Sequence, residues 1–217
     1  MARDAGRRTQ DLFYLITWDI LILSWDMEKH GEKAMLSNVS KMPGKSISRS
    51  AFRCGVGSKL AEVPGSVCFD CYARKGMYRM PNVVNKMEER EEFFHAIDFV
   101  PRMVAMLNRT RAPEFRWFDS GDVEDVRMGL NILDVCEATP NKRHWIPSKE
   151  YQIWAKVLKI RNLPDNVTLR ISAPMVDGPP PKAWQNTSTV TAGDNITGHE
   201  CPAPEQDGKC GPCRACW

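Results

Sequence analysis

Three short runs in the second half of the chain carry apolar side chains between polar ones: residues 115–120, 144–148 and 167–172. Each ends in a serine, Ser120, Ser148 or Ser172. The first two lead into stretches with helical periodicity, residues 123–138 and 149–160. After Ser172 the text turns proline-rich instead. Strand, polar tip, helix, strand is the pattern of βαβ units around a parallel sheet. Right-handed crossovers then place all three tips on one edge, where parallel sheets and barrels keep their working groups.

Upstream, residues 83–108 read as one long helix with Val84, Met87, Phe94, Ile97 and Val100 apolar, kinked or split at Pro101. From Met35 to Cys54 the chain is polar and turn-rich, a loop with room for one short strand. A short helical piece is expected around Leu60, and residues 187–192 can add a further strand. Asp177-Gly178-Pro179-Pro180-Pro181 reads as a rigid loop. Residues 1–34 differ from the rest and are read as an N-terminal extension, with 12–18 fitting strand and helix equally. Residues 35–217 form a single domain, closed by a loop-like tail over 198–217.

Composition narrows the class. An apolar fraction of 42% supports a core, which excludes global disorder. A net charge of +3, with lysine and arginine spread along the chain, gives no case for nucleic acid. The acidic run Glu88 to Glu92 reads as solvated surface. The apolar stretch 12–25 is broken by Asp19 and too short to span a membrane, and no cleavage site follows it. The expected setting is the cytoplasm with reduced thiols, and the expected partner a small-molecule substrate.

Seven of the eight cysteines fall into two groups. Cys54, Cys68 and Cys71 are spaced C-x13-C-x2-C, with Gly55, Gly57 and Gly65 between them to let backbone wrap closely round an inorganic core. Cys201, Cys210, Cys213 and Cys216 are spaced C-x8-C-x2-C-x2-C. The tail resembles a ferredoxin run more than the two separated pairs of a zinc site, so iron–sulfur is favoured there and zinc stays open. A tail this polar needs its metal in order to fold.

The first group has three thiols where a cubane needs four ligands. Either one iron is left open, or a fourth ligand comes from Cys136, His95, His144 or a strand-tip acid. Cys136 follows Leu130 and Leu133 at helical spacing, which marks it as a buried, inert thiol. The strand tips offer Asp119, Ser120 and Asp122, then Ser148, Lys149 and Glu150, then Arg170 and Ser172. Taken singly, serine and aspartate after a strand are ordinary helix caps. As a set they are candidate catalytic walls for the metal.

The stretch Pro64-Gly65-Ser66-Val67-Cys68-Phe69-Asp70-Cys71-Tyr72-Ala73 resembles the cysteine motif of the phage "gene product 88" family. The blocks at 116–122, 145–150 and 170–172 and the ending Cys210-Gly211-Pro212-Cys213-Arg214-Ala215-Cys216-Trp217 fit the same family in order. The resemblance implies a phage-encoded protein in the host cytoplasm, with iron–sulfur ligands and a barrel-like body related to radical-enzyme barrels. Joined to the βα pattern, it gives the fold expected: α/β, a small incomplete (β/α) barrel-like parallel sheet with cysteine-rich loops holding metal clusters.

Two chemistries suit an open 4Fe–4S or 3Fe–4S cluster. The long first gap and the acid-rich tips favour Lewis-acid hydrolysis or hydration of a small ester or hydroxy compound, with Asp119, Asp122 or Glu150 moving protons. The alternative is a radical enzyme using S-adenosylmethionine. A redox or iron sensor, or a nucleic-acid-associated binding protein, is the non-enzymatic reading.

Overall fold

In the computed structural model the residues described are 35–193, Ile196 and 198–217. The expected extension over 1–34, with its strand-or-helix segment, lies outside them. The described chain builds a mixed α/β body on a six-stranded sheet whose order follows the chain. A short strand β1 (Ser37–Asn38) runs antiparallel to β2 (Lys45–Ile47). From β2 onward every neighbour is parallel: β3 (Glu114–Trp117), β4 (Arg143–Ser148), β5 (Val167–Val176) and β6 (Thr187–Val190). The turn into β2 needs Gly44, whose φ is 77° and whose added Cβ would lie 2.0 Å from the Glu114 carbonyl oxygen.

The helices are α1 (Gly55–Leu60), α2 (Pro81–His95), α3 (Phe99–Asn108), α4 (Val126–Glu137) and α5 (Tyr151–Ile160). The long helix expected over 83–108 is indeed two, but the break falls at 96–98 and not at Pro101. Ala96 is extended, and the chain turns so that the Phe99 ring packs on Phe93 and Phe94 at 5.1 and 5.2 Å. Pro101 sits in the first turn of α3, where a missing N–H leaves no helical bond unmade. Between β2 and α2, on either side of α1, the chain is irregular, with short 3-10 turns at Ala51–Arg53, Tyr72–Arg74 and Gly76–Arg79.

Strand alternation divides the sheet into two faces. Phe115, Trp117, His144, Ile146, Leu169 and Ile171 are buried on one, each large apolar side chain stabilising the fold by roughly 2–3 kcal/mol. This face meets the helices. Trp117 Nε1 donates to His144 Nδ1 at 3.2 Å, and His144 Nε2 lies 2.9 Å from Thr139 Oγ1, just beyond α4. Gly129 brings α4 onto α5, since a Cβ there would stand 2.7 Å from Val157 Cγ2.

The opposite face carries Ser46, Arg116 and Trp145 in register, with Arg170 beside Pro147. The C-terminal tail lies on it. Trp217 meets Trp145 edge-on at 5.3 Å and donates from Nε1 to the Phe115 carbonyl at 3.3 Å. Cys210 N donates to Lys41 O at 2.8 Å.

β5 runs to Val176 and not, as its pattern implied, only to Ser172. Pro174 is accommodated because the pairing with β6 shifts register between Ser172 and Val176. There the strand pairs instead with the cysteine loop: Val67 N donates to Pro174 O at 3.0 Å and Val176 N to Gly65 O at 2.9 Å. The rigid loop expected over 177–181 follows directly on the strand. No helix among the described residues is long and apolar enough to cross a membrane.

Candidate metal-binding pocket at the strand tips

Directly after β2 the chain enters the loop that carries Cys54, Cys68 and Cys71. All three line one pocket of about 230 Å³. Its other walls are Asp119, Ser120, Gly121 and Asp122 from the tip of β3, Ser148 and Lys149 from β4, and Ser172 from β5, with Arg116 and Tyr72. The tips converge on the cysteines as their common sheet edge implied. Gly57 stands against two of the sulfurs: an added Cβ would lie 3.5 Å from Cys54 Sγ and 3.7 Å from Cys68 Sγ.

The tips hold the loop in place. Asp122, buried, accepts Ser148 Oγ–H and Lys149 N–H, both at 2.7 Å, and Val123 N–H at 2.8 Å. Ser148 Oγ in turn accepts Glu150 N–H at 3.0 Å. Glu150 Oε1 accepts Val56 N–H at 2.6 Å, in the first turn of α1 and two residues past Cys54. Gly55 leaves room for that carboxylate, since a Cβ there would come to 3.1 Å from Oε1. Ser120 and Arg49 clasp each other through Ser120 Oγ to Arg49 O and Arg49 N to Ser120 O, both 2.9 Å. Asp122, Ser148, Glu150 and Ser120 are thus committed to positioning the cysteine loop.

Asp119 differs. Phe118, just before it, sits at φ 54° with its ring stacked on Phe94, so the chain turns sharply at the strand end. Tyr72 OH donates to the Asp119 carbonyl, while Asp119 Oδ1 is buried with no hydrogen-bond partner. Ser172 Oγ accepts from Ser188 Oγ at 3.0 Å. Arg170 is not a pocket residue. It donates to Thr187 O at 2.8 Å and Ala215 O at 2.9 Å, fixing β6 and the tail.

Electrostatics separates the cysteines from free nucleophiles. Burial, and then nearby Asp122, Cys68 and Glu150, push the Cys54 thiol up to about 12. Burial raises Cys68 as well, with Lys149 and Arg74 opposing it. Without a metal these thiols stay protonated at neutral pH, whereas metal binding takes the thiolate. Burial also pushes the Asp122 carboxyl up to about 6, against the pull of its three donors.

None of the side chains named as a fourth ligand from outside the tips lines this pocket. Cys136 is fully buried in α4, with its thiol raised by burial. His144 is fully buried and engaged through both ring nitrogens. His95 lies with Glu91 and Glu124, the one trio of metal-ligating side chains among the described residues whose donor atoms all fall within 4.8 Å. The buried Arg49 guanidinium pairs with both glutamates, so a positive charge already serves that trio. The sulfurs of neither cysteine group are drawn together so tightly.

In the tail, Cys213 N donates to Cys210 O at 3.1 Å, a turn that suits a C-x2-C pair. The Cys210 and Cys216 thiols are both raised by burial, with the other tail cysteines adding. His199 Nε2 stands 3.4 Å from Cys213 Sγ. Taken alone, each of the four histidines reads in the sequence as surface or core, and His199 stands one residue from Glu200 and two from Cys201.

Residues 30–217 match the family model described as Gene product 88. No curated protein and no solved structure matches the chain.

Proposed function

We propose a function for this chain, which belongs to the gene product 88 family: it is a phage-encoded iron–sulfur enzyme of the radical type that takes S-adenosylmethionine as cosubstrate. The observation that carries this reading is the placement of the three cysteines. They follow the first parallel strand of a sheet wound in chain order and face the C-terminal tips of the next three strands. The open sheet is on this reading part of a (β/α) barrel, with the pocket at its C-terminal mouth.

The donor set fits the group. Three thiols line one pocket, glycine stands where a Cβ would come to 3.0 Å from Cys54 Cβ, and the three sulfurs do not all lie within 4.8 Å of one another. A single tetrahedral zinc, at about 2.3 Å from each sulfur, would hold neighbouring sulfurs only ~3.8 Å apart. Cys54, Cys68 and Cys71 would hold a 4Fe–4S cluster, which would supply a site for S-adenosylmethionine and the electron that cleaves it. Asp122 and Glu150 orient the loop that bears the ligands. Lys149 and Arg74, near Cys68, offset the thiolates' negative charge. Asp119, Tyr72 and Arg116 face the remaining space, where a small polar substrate would be oriented.

Lewis-acid hydrolysis or hydration is the second reading. The observation that favours it is Asp122, a pocket-wall carboxyl that burial pushes up to about 6. It ranks second because the acids it would use as proton carriers are engaged: Asp122 with three donors and Glu150 with Val56 N–H. Anaerobic protein with iron and sulfide counted, given S-adenosylmethionine and dithionite, separates the two. 5′-Deoxyadenosine is expected on the first reading and absent on the second.

A further inference from the structure

Four buried polar atoms on the open face of the sheet have no hydrogen-bond partner: Ser46 Oγ, Arg116 Nε, Trp145 Nε1 and Arg170 Nε. They come from four adjacent strands. Ser46, Arg116 and Trp145 are register neighbours, and Arg170 follows on β5. Buried donors left unpaired are costly, and a row of them points to an acceptor. Two of the four belong to guanidinium groups, so the acceptor is anionic.

The tail is the element that covers this face. Arg170 reaches Ala215 O, Arg214 Nε donates to Glu114 Oε1 at 3.1 Å, and Trp217 seats against Trp145. Arg116 lies 4.5 Å over the Trp145 ring and also lines the pocket of the first three cysteines. Ala215, whose carbonyl Arg170 holds, directly precedes Cys216. Thiolates gathered on a metal carry net negative charge and accept N–H hydrogen bonds, which this row lacks from the protein itself.

We propose that the open face of the sheet is the seat of a metal–thiolate centre on Cys201, Cys210, Cys213 and Cys216, held by Arg116 and Arg170, with Arg116 shared between that centre and the first pocket. The two cysteine groups are thus linked through one positive side chain, Arg116, and the tail is part of the site. This rests on the reading of the cysteines as metal ligands and not on chemistry with S-adenosylmethionine. Arg116 and Arg170 are positioning residues.

The test counts iron, zinc and sulfide per chain in anaerobically purified full-length protein and follows their release to a chelator. Cys54→Ser/Cys68→Ser/Cys71→Ser leaves only tail metal to report. In that chain Arg170→Gln and Arg116→Gln are each expected to speed release about tenfold or more. Arg170→Lys, which keeps the charge but not the planar fork, falls between. In the chain with Cys213→Ser/Cys216→Ser, Arg116→Gln still speeds release from the first group and Arg170→Gln does not. Circular dichroism and metal-free thermal unfolding separate a folding defect, and where a Gln variant unfolds the Lys variant decides. Unchanged release in the arginine variants, or no metal held by the chain that lacks the first three cysteines, overturns the proposal. A failure to form 5′-deoxyadenosine would sink the proposed function and leave this inference standing.

Discussion

Glu150 Oε1 accepts the backbone N–H of Val56 at 2.6 Å, a contact between the tip of β4 and the loop that carries Cys54. It spans 94 residues of sequence and ties the metal-ligand loop to a rigid strand. Through Ser148 Oγ and the Asp122 carboxylate the same tie reaches the tip of β3.

Glu150→Ala should therefore loosen the loop more than the fold. The expected loss is about 1 kcal/mol of stability from the freed first turn of α1. Metal on Cys54, Cys68 and Cys71 should be held at least about tenfold less tightly. Chelator competition together with urea unfolding checks both. A drop in stability with unchanged metal affinity would make Glu150 a plain cap.

Gly57→Ala places a Cβ 3.0 Å from Cys54 Cβ and close to the sulfurs of Cys54 and Cys68. The expected result is reduced iron at the first centre with far-ultraviolet circular dichroism unaltered. Full iron loading in this variant would mean that the pocket has slack the glycine does not explain.

His144 sets an acid limit. Burial holds its imidazole down at about 4, against an ordinary 6.5. The unfolded chain takes up that proton near pH 6.5 and the folded chain only near pH 4, so stability is full above pH 6.5 and falls between them as pH drops. The loss is on the order of 3 kcal/mol at the lower end. In the neutral ring Nδ1 accepts from Trp117 and Nε2–H donates to Thr139, which donates on to Val135 O at 2.7 Å. Urea midpoints at pH 7 and pH 5 should differ for the native chain and much less for His144→Phe. Equal pH slopes in the two would refute the assignment.

Trp217→Ala should free the tail from β3 and β4. Loss of the ring pair with Trp145 and of the bond to Phe115 O is expected to cost about 1–2 kcal/mol. Limited proteolysis should then cut within 198–217 earlier than in the native chain. A tail that stays protected would place its anchor elsewhere.

What the sequence disclosed was local. The runs ending in Ser120, Ser148 and Ser172 alternate at the period of a strand, so β3, β4 and the start of β5 were legible together with their shared edge. The cysteine spacing marked both groups. What stayed hidden depends on distant partners. Pro174 reads as a strand breaker until Val67 N–H is found on its carbonyl. β2 has only three residues and is a strand because β3 lies beside it. Asp122 and Glu150 look like catalytic acids in a string of letters, and their engagement with Lys149 and Val56 shows only in three dimensions. Arg170 was grouped with the pocket by its place after a strand run, yet its side chain points to the face that holds the tail.

The central claim is that Cys54, Cys68 and Cys71 hold a cluster that works on S-adenosylmethionine. The most direct measurement is 5′-deoxyadenosine formed by anaerobically reconstituted full-length protein with S-adenosylmethionine and dithionite, beside the same protein carrying Cys71→Ser. The account predicts product from the native chain and none from the variant. An iron- and sulfide-replete native chain that forms none would contradict it.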